Sequence, residues 1–275
     1  MKKHRSAIFI TLVFVVGVCL LLYPTVSEYI NSLHQSQAIS TYAGAVNELD
    51  ETQYDEIIAA AEEYNAELAG HAASFSMTEE ETQRYQQCLN VDGSGMMGYV
   101  EIPSIDVSLP IYHGTSDEVL QSYIGHLEWT SLPVGGTGTH CVLSGHRGLP
   151  SAKLFTNLDE VAIGDVFYLN ILNEVLTYEV DQILIVEPDE LDALQIVDGQ
   201  DYCTLFTCTP YGINTHRLLV RGHRVENQIN TPKVSVSADA MQLEPMMVAP
   251  IVAIPLLLLL LIWVLFPVGG SHRRR

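Results

Sequence analysis

The chain has 275 residues, with 13 Lys and Arg against 33 Asp and Glu, a net charge of −20. So acidic a balance excludes a nucleic-acid surface, which needs basic patches over phosphate, and disfavours lying flat on anionic lipid. The length allows a real hydrophobic core without disulfide staples.

Residues 7–23 (AIFITLVFVVGVCLLLY) form an uncharged apolar run behind Lys2, Lys3 and Arg5. Such a run is long enough to cross a bilayer core of about 30 Å as a helix. A cleaved signal peptide starts in the same way, but no small-x-small cleavage site follows Tyr23-Pro24, so the run reads as an uncleaved anchor. A second apolar run, residues 248–268, precedes Arg273, Arg274 and Arg275 and reads as a second membrane helix. Pro250 and Pro255 leave its outer boundary open. Basic flanks stay in the cytoplasm. Both termini are therefore expected inside the cell and residues 24–247 outside it. Six of the 13 cations lie in the tails, so the outer portion holds seven against 33 acidic residues, a net −26. That charge serves solubility or, in the sharper reading, attracts a basic partner.

Ile39, Tyr42, Val46 and Leu49, then Tyr54, Ile57, Ala61, Tyr64 and Leu68, recur at helical spacing. Asp50-Glu51-Thr52 divides them into two helices and Gly70 is the expected stop, giving a spacer or accessory hairpin on the core. Residues 71–97 read as irregular, with a short helix around Glu79, Glu80 and Glu81 capped by Ser76 or Thr78. Asp92-Gly93-Ser94-Gly95 reads as a turn; it lacks the spaced ligands and closing Glu of a calcium loop. From Gly98 onward, short apolar segments alternate with turn residues. Strands are predicted at 98–102, 107–112, 140–144, 166–172, 175–186, 202–207 and 217–225, with a tight hairpin at Asn173-Glu174. This pattern predicts a mainly β barrel or sandwich, with short helices at 116–122 and 153–158 over its rim.

Of five Cys, Cys19 lies in the first apolar run and Cys88, Cys141, Cys203 and Cys208 lie outside it. At least one is expected to be a working thiol. Cys141 and Cys203 each lie five residues before another residue of interest, His146 and Cys208. On parallel neighbouring strands in register they would lie close together, and they read as buried, inert thiols.

Cys208 ends a strand-like run ahead of Pro210 and Gly212, His146 follows another such run, and Arg217 opens the next. Singly these read as a structural thiol, a turn residue and a surface cation. Together they form a set for cysteine acyl transfer. The thiolate is the nucleophile, an imidazole moves the proton, and a permanent cation stabilises the oxyanion. His140 and His146 suggest no metal site, because no second pair of ligands is in view. No cofactor is expected.

The run Thr204-Leu205-Phe206-Thr207-Cys208 resembles the TLxTC signature of sortases. The likeness extends from Gly98 to Arg224. The runs Pro110-Ile111-Tyr112-His113-Gly114-Thr115, Ser144-Gly145-His146-Arg147-Gly148-Leu149-Pro150 and Asn214-Thr215-His216-Arg217 are similar to class C, pilin-polymerising sortases. The resemblance implies an eight-stranded sortase β-barrel. It implies that Cys208 attacks the Thr–Gly bond of an LPxTG-like sorting signal, His146 acts as acid and base, and Arg217 stabilises the oxyanion. Thr207 would contact substrate, and a Lys amine of another pilin subunit would resolve the thioester. Anchoring of surface proteins to peptidoglycan, a hydrolytic thiol protease and a non-catalytic assembly scaffold are the alternatives.

The implied order is a tail and anchor at 1–27, a helical region at 28–70, a lid at 71–97, the catalytic domain at 98–228, a linker at 229–247 and a second membrane helix with its tail at 248–275. Many class C lids carry an Asp-Pro-aromatic plug. Here the matching stretch is Ala72-Ala73-Ser74-Phe75-Ser76, so Phe75 is the candidate plug without the Asp and Pro.

Overall fold

The computed structural model describes residues 2–69, 77–227 and Leu258. The chain divides into two compact units, residues 1–30 with 234–275, and residues 31–233.

Helix α1 (Lys2–Asn47) is continuous and carries Pro24 inside it, so the expected boundary at residues 27 and 28 is not a break in the backbone. From Phe9 its apolar window has a mean hydropathy of 2.5 with none of it buried, which is enough in length and composition to cross a membrane. The second apolar run, 248–268, lies outside the described residues except for Leu258, which is helical and exposed.

In the larger unit, α1 ends where Asp50 caps helix α2 (Glu51–Ala69). Gln53 N donates to Asp50 Oδ1 at 2.9 Å, and Asp50 N donates to Gln53 Oε1 at 3.1 Å. The stripe predicted from spacing is the buried one: Ile39, Tyr42, Val46, Ala61 and Tyr64 all join the core. Polar ties then fix these helices on the sheet. Tyr42 Oη donates to Met97 O at 2.7 Å and accepts from Leu172 N at 2.8 Å. Asn65 pairs with both backbone groups of Leu132, at 3.1 and 2.7 Å. Helix α3 (Glu79–Gln87) is capped by Thr78, with Glu81 completing the capping box.

Eight strands follow: β1 (Met96–Ile102), β2 (Val107–His113), β3 (Ile124–His126), β4 (Thr139–Ser144), β5 (Val166–Ile171), β6 (Glu174–Val186), β7 (Asp201–Thr209) and β8 (His216–Val225). They close into a barrel in the order β1-β2-β3-β4-β7-β8-β6-β5. Closure leaves no strand edge unpaired. Two joins are parallel, β2 with β3 and β4 with β7, and the rest are antiparallel. Helix α4 (Asp117–Leu120) is capped by Ser116.

Several expectations need correction. β3 was not predicted; it has three residues and no alternation long enough to register. β1 starts two residues earlier than expected, at Met96. The tight hairpin turns on Leu172 and Asn173, one residue earlier, with Leu172 at φ 51°. No helix forms at 153–158. That stretch is a run of turns, with Leu154 at φ 42°, leading into a 3₁₀ turn at Leu158–Glu160. A left-handed residue breaks a helix at that point.

The barrel interior and the face under α1 and α2 share one large core. A smaller apolar cluster lies apart from it, formed by Val142, Val186, Leu194 and Leu219 with Leu127, Trp129, Leu191 and Phe206 packed against it. Part of the 187–200 connection between β6 and β7 covers this cluster, and it leads to the candidate site.

Candidate active site

Side chains alternate across a strand. On β7, Cys203, Leu205 and Thr207 therefore share one face, and Thr204, Phe206 and Cys208 the other. Cys203 and Leu205 belong to the large core, and Phe206 packs on the smaller cluster. Cys208 is half-buried at the end of that second face. Its antiparallel partner on β8 is Arg217. Side chains directly opposite on antiparallel strands have Cβ atoms about 4.5–5.5 Å apart, so the pairing roots the two side chains next to each other.

His146 arrives from the other side of β7. β4 ends at Ser144, opposite Phe206. Gly145 continues the ladder, donating its N–H to Phe206 O at 3.0 Å, and its own carbonyl accepts from Thr207 Oγ1 at 2.7 Å. A Cβ on Gly145 would lie 2.5 Å from Ile124 and 2.7 Å from Phe155, so only glycine allows the loop to lie this close to the barrel. His146 follows immediately, half-buried.

Cys208, His146, Arg217 and Thr207 line one cavity of about 350 Å³. Leu127, Trp129, Leu191 and Phe206 form its apolar walls. Arg217 donates to Asn214 O at 3.2 Å and His216 O at 3.1 Å, both through Nη1. These bonds hold the fork at the strand end. A preorganised cation beside a thiol, with an imidazole on the opposite side, suits addition to a carbonyl and stabilisation of the resulting oxyanion. Thr207 Oγ1 is committed as a donor to Gly145 but retains acceptor lone pairs.

Phe75 lies outside the described residues. Among the described residues none of 77–97 lines the cavity. Tyr85 of α3 is instead buried against the barrel, bonded to Gly114 N at 2.9 Å and to His126 Nδ1 at 3.0 Å. This fastens the backbone next to Thr115, which lines the cavity.

His140, Arg221 and Arg224 have structural partners. His140 is held between Gln195 O at 2.9 Å and Thr204 Oγ1 at 2.8 Å, and burial lowers its pKa to about 4. Arg221 makes a two-pronged pair with Asp181, at 2.9 and 2.8 Å, and stacks 4.1 Å over Tyr202. Arg224 lies 3.8 Å from Asp201. Both brace β8 against its neighbours. Cys141 and Cys203 are register partners on β4 and β7, both buried and both free. Asp92 Oδ1 accepts from Ser94 N at 2.9 Å, which accounts for the turn there. Among the described residues no group of three or more His, Cys, Asp or Glu is placed to hold a metal. The walls formed by Leu127, Trp129 and Leu191 were not foreseen, because they come from connections without periodicity.

Comparison with known proteins supplies a family. A family model described as the sortase domain matches residues 100–225. The solved structure of sortase C1 from Streptococcus agalactiae superposes with a TM-score of 0.69 at 55% identity, covering 70% of this chain and all of that one. Sortase C from Streptococcus pneumoniae, a structure reported to bear on catalysis and pilin substrate specificity, gives 0.63 at 46% identity over 70% and 97% of the two chains. Among curated proteins, sortase D of Bacillus subtilis is 30% identical over 131 residues, 46% of this chain and 63% of that protein. The match to sortase A of Streptococcus agalactiae, at 29% identity, spans 42% of this chain and 47% of that protein.

Proposed function

Because this chain belongs to the sortase family and its structural relatives at 45–55% identity include class C members, we propose that it is a cysteine transpeptidase that polymerises pilin. The observation that carries this reading is the pairing of Cys208 with Arg217 across β7 and β8, in a cavity that His146 lines from β4.

In the proposed reaction the Cys208 thiolate adds to the Thr carbonyl carbon of an LPxTG-like sorting signal. Arg217 donates to the oxyanion of the tetrahedral intermediate. His146 returns a proton to the departing Gly amine, which leaves a thioester on Cys208. A Lys amine of a second pilin subunit then attacks, His146 accepts its proton, and the Cys208 thiolate departs as the isopeptide bond forms. Thr207 accepts a hydrogen bond from the substrate backbone. The apolar walls suit the apolar residues of the signal and exclude water from the thioester. Apolar α1 supports a membrane anchor, with the barrel outside the cell and both termini in the cytoplasm. Phe75, in the 71–97 segment, is the proposed plug of a lid. We assign the acidic outer surface to steering a basic acceptor, so polymer formation should slow as salt rises.

The test is mass spectrometry of the protein with an LPxTG-type peptide, followed by incubation with purified pilin. An acyl adduct on Cys208 and a ladder of covalent polymers are expected. An adduct without a ladder, resolved by peptidoglycan amines, would assign the protein to surface anchoring. Release of free acid unaffected by added amine would make it a protease. Assembly retained in Cys208→Ala would make it a scaffold.

A further inference from the structure

Arg147 follows His146 directly, yet it is not a surface cation. Its side chain is 9% exposed, where a charge serving only solubility would remain hydrated. Nη1 donates to Thr209 Oγ1 at 3.2 Å, and Nη2 pairs with Asp159 Oδ2 at 2.5 Å. The guanidinium carbon lies 5.9 Å from the ring centre of Tyr211. The same ring closes over Gly148, where an added Cβ would come within 3.0 Å of it. Thr209 is the residue after Cys208, and Tyr211 lies two further on. One guanidinium therefore joins the residue after the imidazole to the residue after the thiol, with Asp159 of a third segment as its anchor.

We propose that Arg147 is a positioning residue for the transfer reaction: it fastens the loop carrying His146 to the strand end carrying Cys208 and so fixes the distance between imidazole and thiol. The inference rests on the proposed roles of Cys208 and His146. Without Arg147, the two strand ends remain joined, past the β4–β7 ladder, by Gly145 N to Phe206 O and by the Thr207 hydroxyl, which donates to Gly145 O. Both lie before His146 in the chain. Arg147 supplies the tie beyond it, so the imidazole is held from both sides. The fork geometry matters because two acceptors in different directions must be reached at once, which a single ammonium point charge does poorly. The Nε of Arg147 is buried without a hydrogen-bond partner among the described residues. The charge is thus buried with one donor unsatisfied, a cost that fits a side chain retained for geometry.

The test compares full-length protein in detergent as wild type, Arg147→Gln, Arg147→Lys, Thr209→Val and Cys208→Ala. Peptide transfer to an amine gives kcat and KM separately, and thermal unfolding is recorded for each. Loss of alignment predicts that Arg147→Gln lowers kcat on the order of 10- to 100-fold with KM within about twofold. Arg147→Lys should recover part of that loss, and Thr209→Val should lose less than Arg147→Gln in the same sense. Wild-type kcat in Arg147→Gln overturns the proposal, as does a rise in KM with kcat unchanged, which would assign Arg147 to substrate binding. If Arg147→Gln fails to fold, Thr209→Val decides, and a wild-type kcat there overturns the proposal. Transfer persisting in Cys208→Ala would instead remove the catalytic reading on which the inference rests.

Discussion

β7 presents two cysteines five residues apart, on opposite faces of the same strand. Cys203 points into the large core, fully buried beside Cys141, and burial pushes its thiol well above the ordinary range. Cys208 lies at the end of the outer face, half-buried, opposite a cation and in a cavity that His146 also lines. The strand supplies the same atom type twice, and the surroundings on each face decide whether it is packing or chemistry.

The sharpest way to break this comparison is to exchange the two sulfurs' fates. Cys208→Ala should lower acyl transfer by about 10⁴-fold or more, while Cys203→Ala should keep turnover and lose about 1–2 kcal/mol of stability to the small cavity it opens. Turnover assays and denaturant unfolding measure both. Arg217→Ala should lower kcat by about 10²–10³-fold, the typical effect of losing one oxyanion donor; an unchanged kcat in steady-state assays would detach the cation from the thiol. Iodoacetamide should label Cys208 in the native protein and reach Cys141 and Cys203 only after unfolding, which peptide mapping reads directly. Labelling of all three in the native state would mean the inner face is not closed.

Another test asks how the outer face is sealed away from the cavity, where His140 meets Thr204. The folded pKa of His140 is about 4 against an ordinary 6.5, so the unfolded chain binds the proton more readily. Its contribution is fully present above about pH 6.5 and is lost as pH falls towards 4, by about 3 kcal/mol in all. Unfolding measured across that window should fall less steeply in His140→Asn.

The sequence made the site more legible than the sheet that carries it. Cys208, His146 and Arg217 could be paired because each ends or begins a short apolar segment bounded by turn residues. Seven of the eight strands were located for the same reason. β3 was missed because three residues carry no period, although it completes the barrel between β2 and β4. The ion pairs of Arg221 with Asp181 and of Arg224 with Asp201 were not legible, because scarce charge marks structural pairs as readily as active sites. The role of Arg147 was beyond reach, since Asp159 and Thr209 meet it through turns that no pattern announces.

The parallel join of β4 to β7 has a consequence in time. Thr207 and Gly145 are 62 residues apart along the chain, and both β5 and β6 lie between their strands. A contact of that separation carries a large loop-closure cost and forms late. As the chain is synthesised from its N-terminus, the segment bearing His146 precedes the one bearing Cys208 by the whole of that crossover. A chain that ends short of β7 therefore carries His146 without Cys208, and the two side chains come together only when the barrel closes.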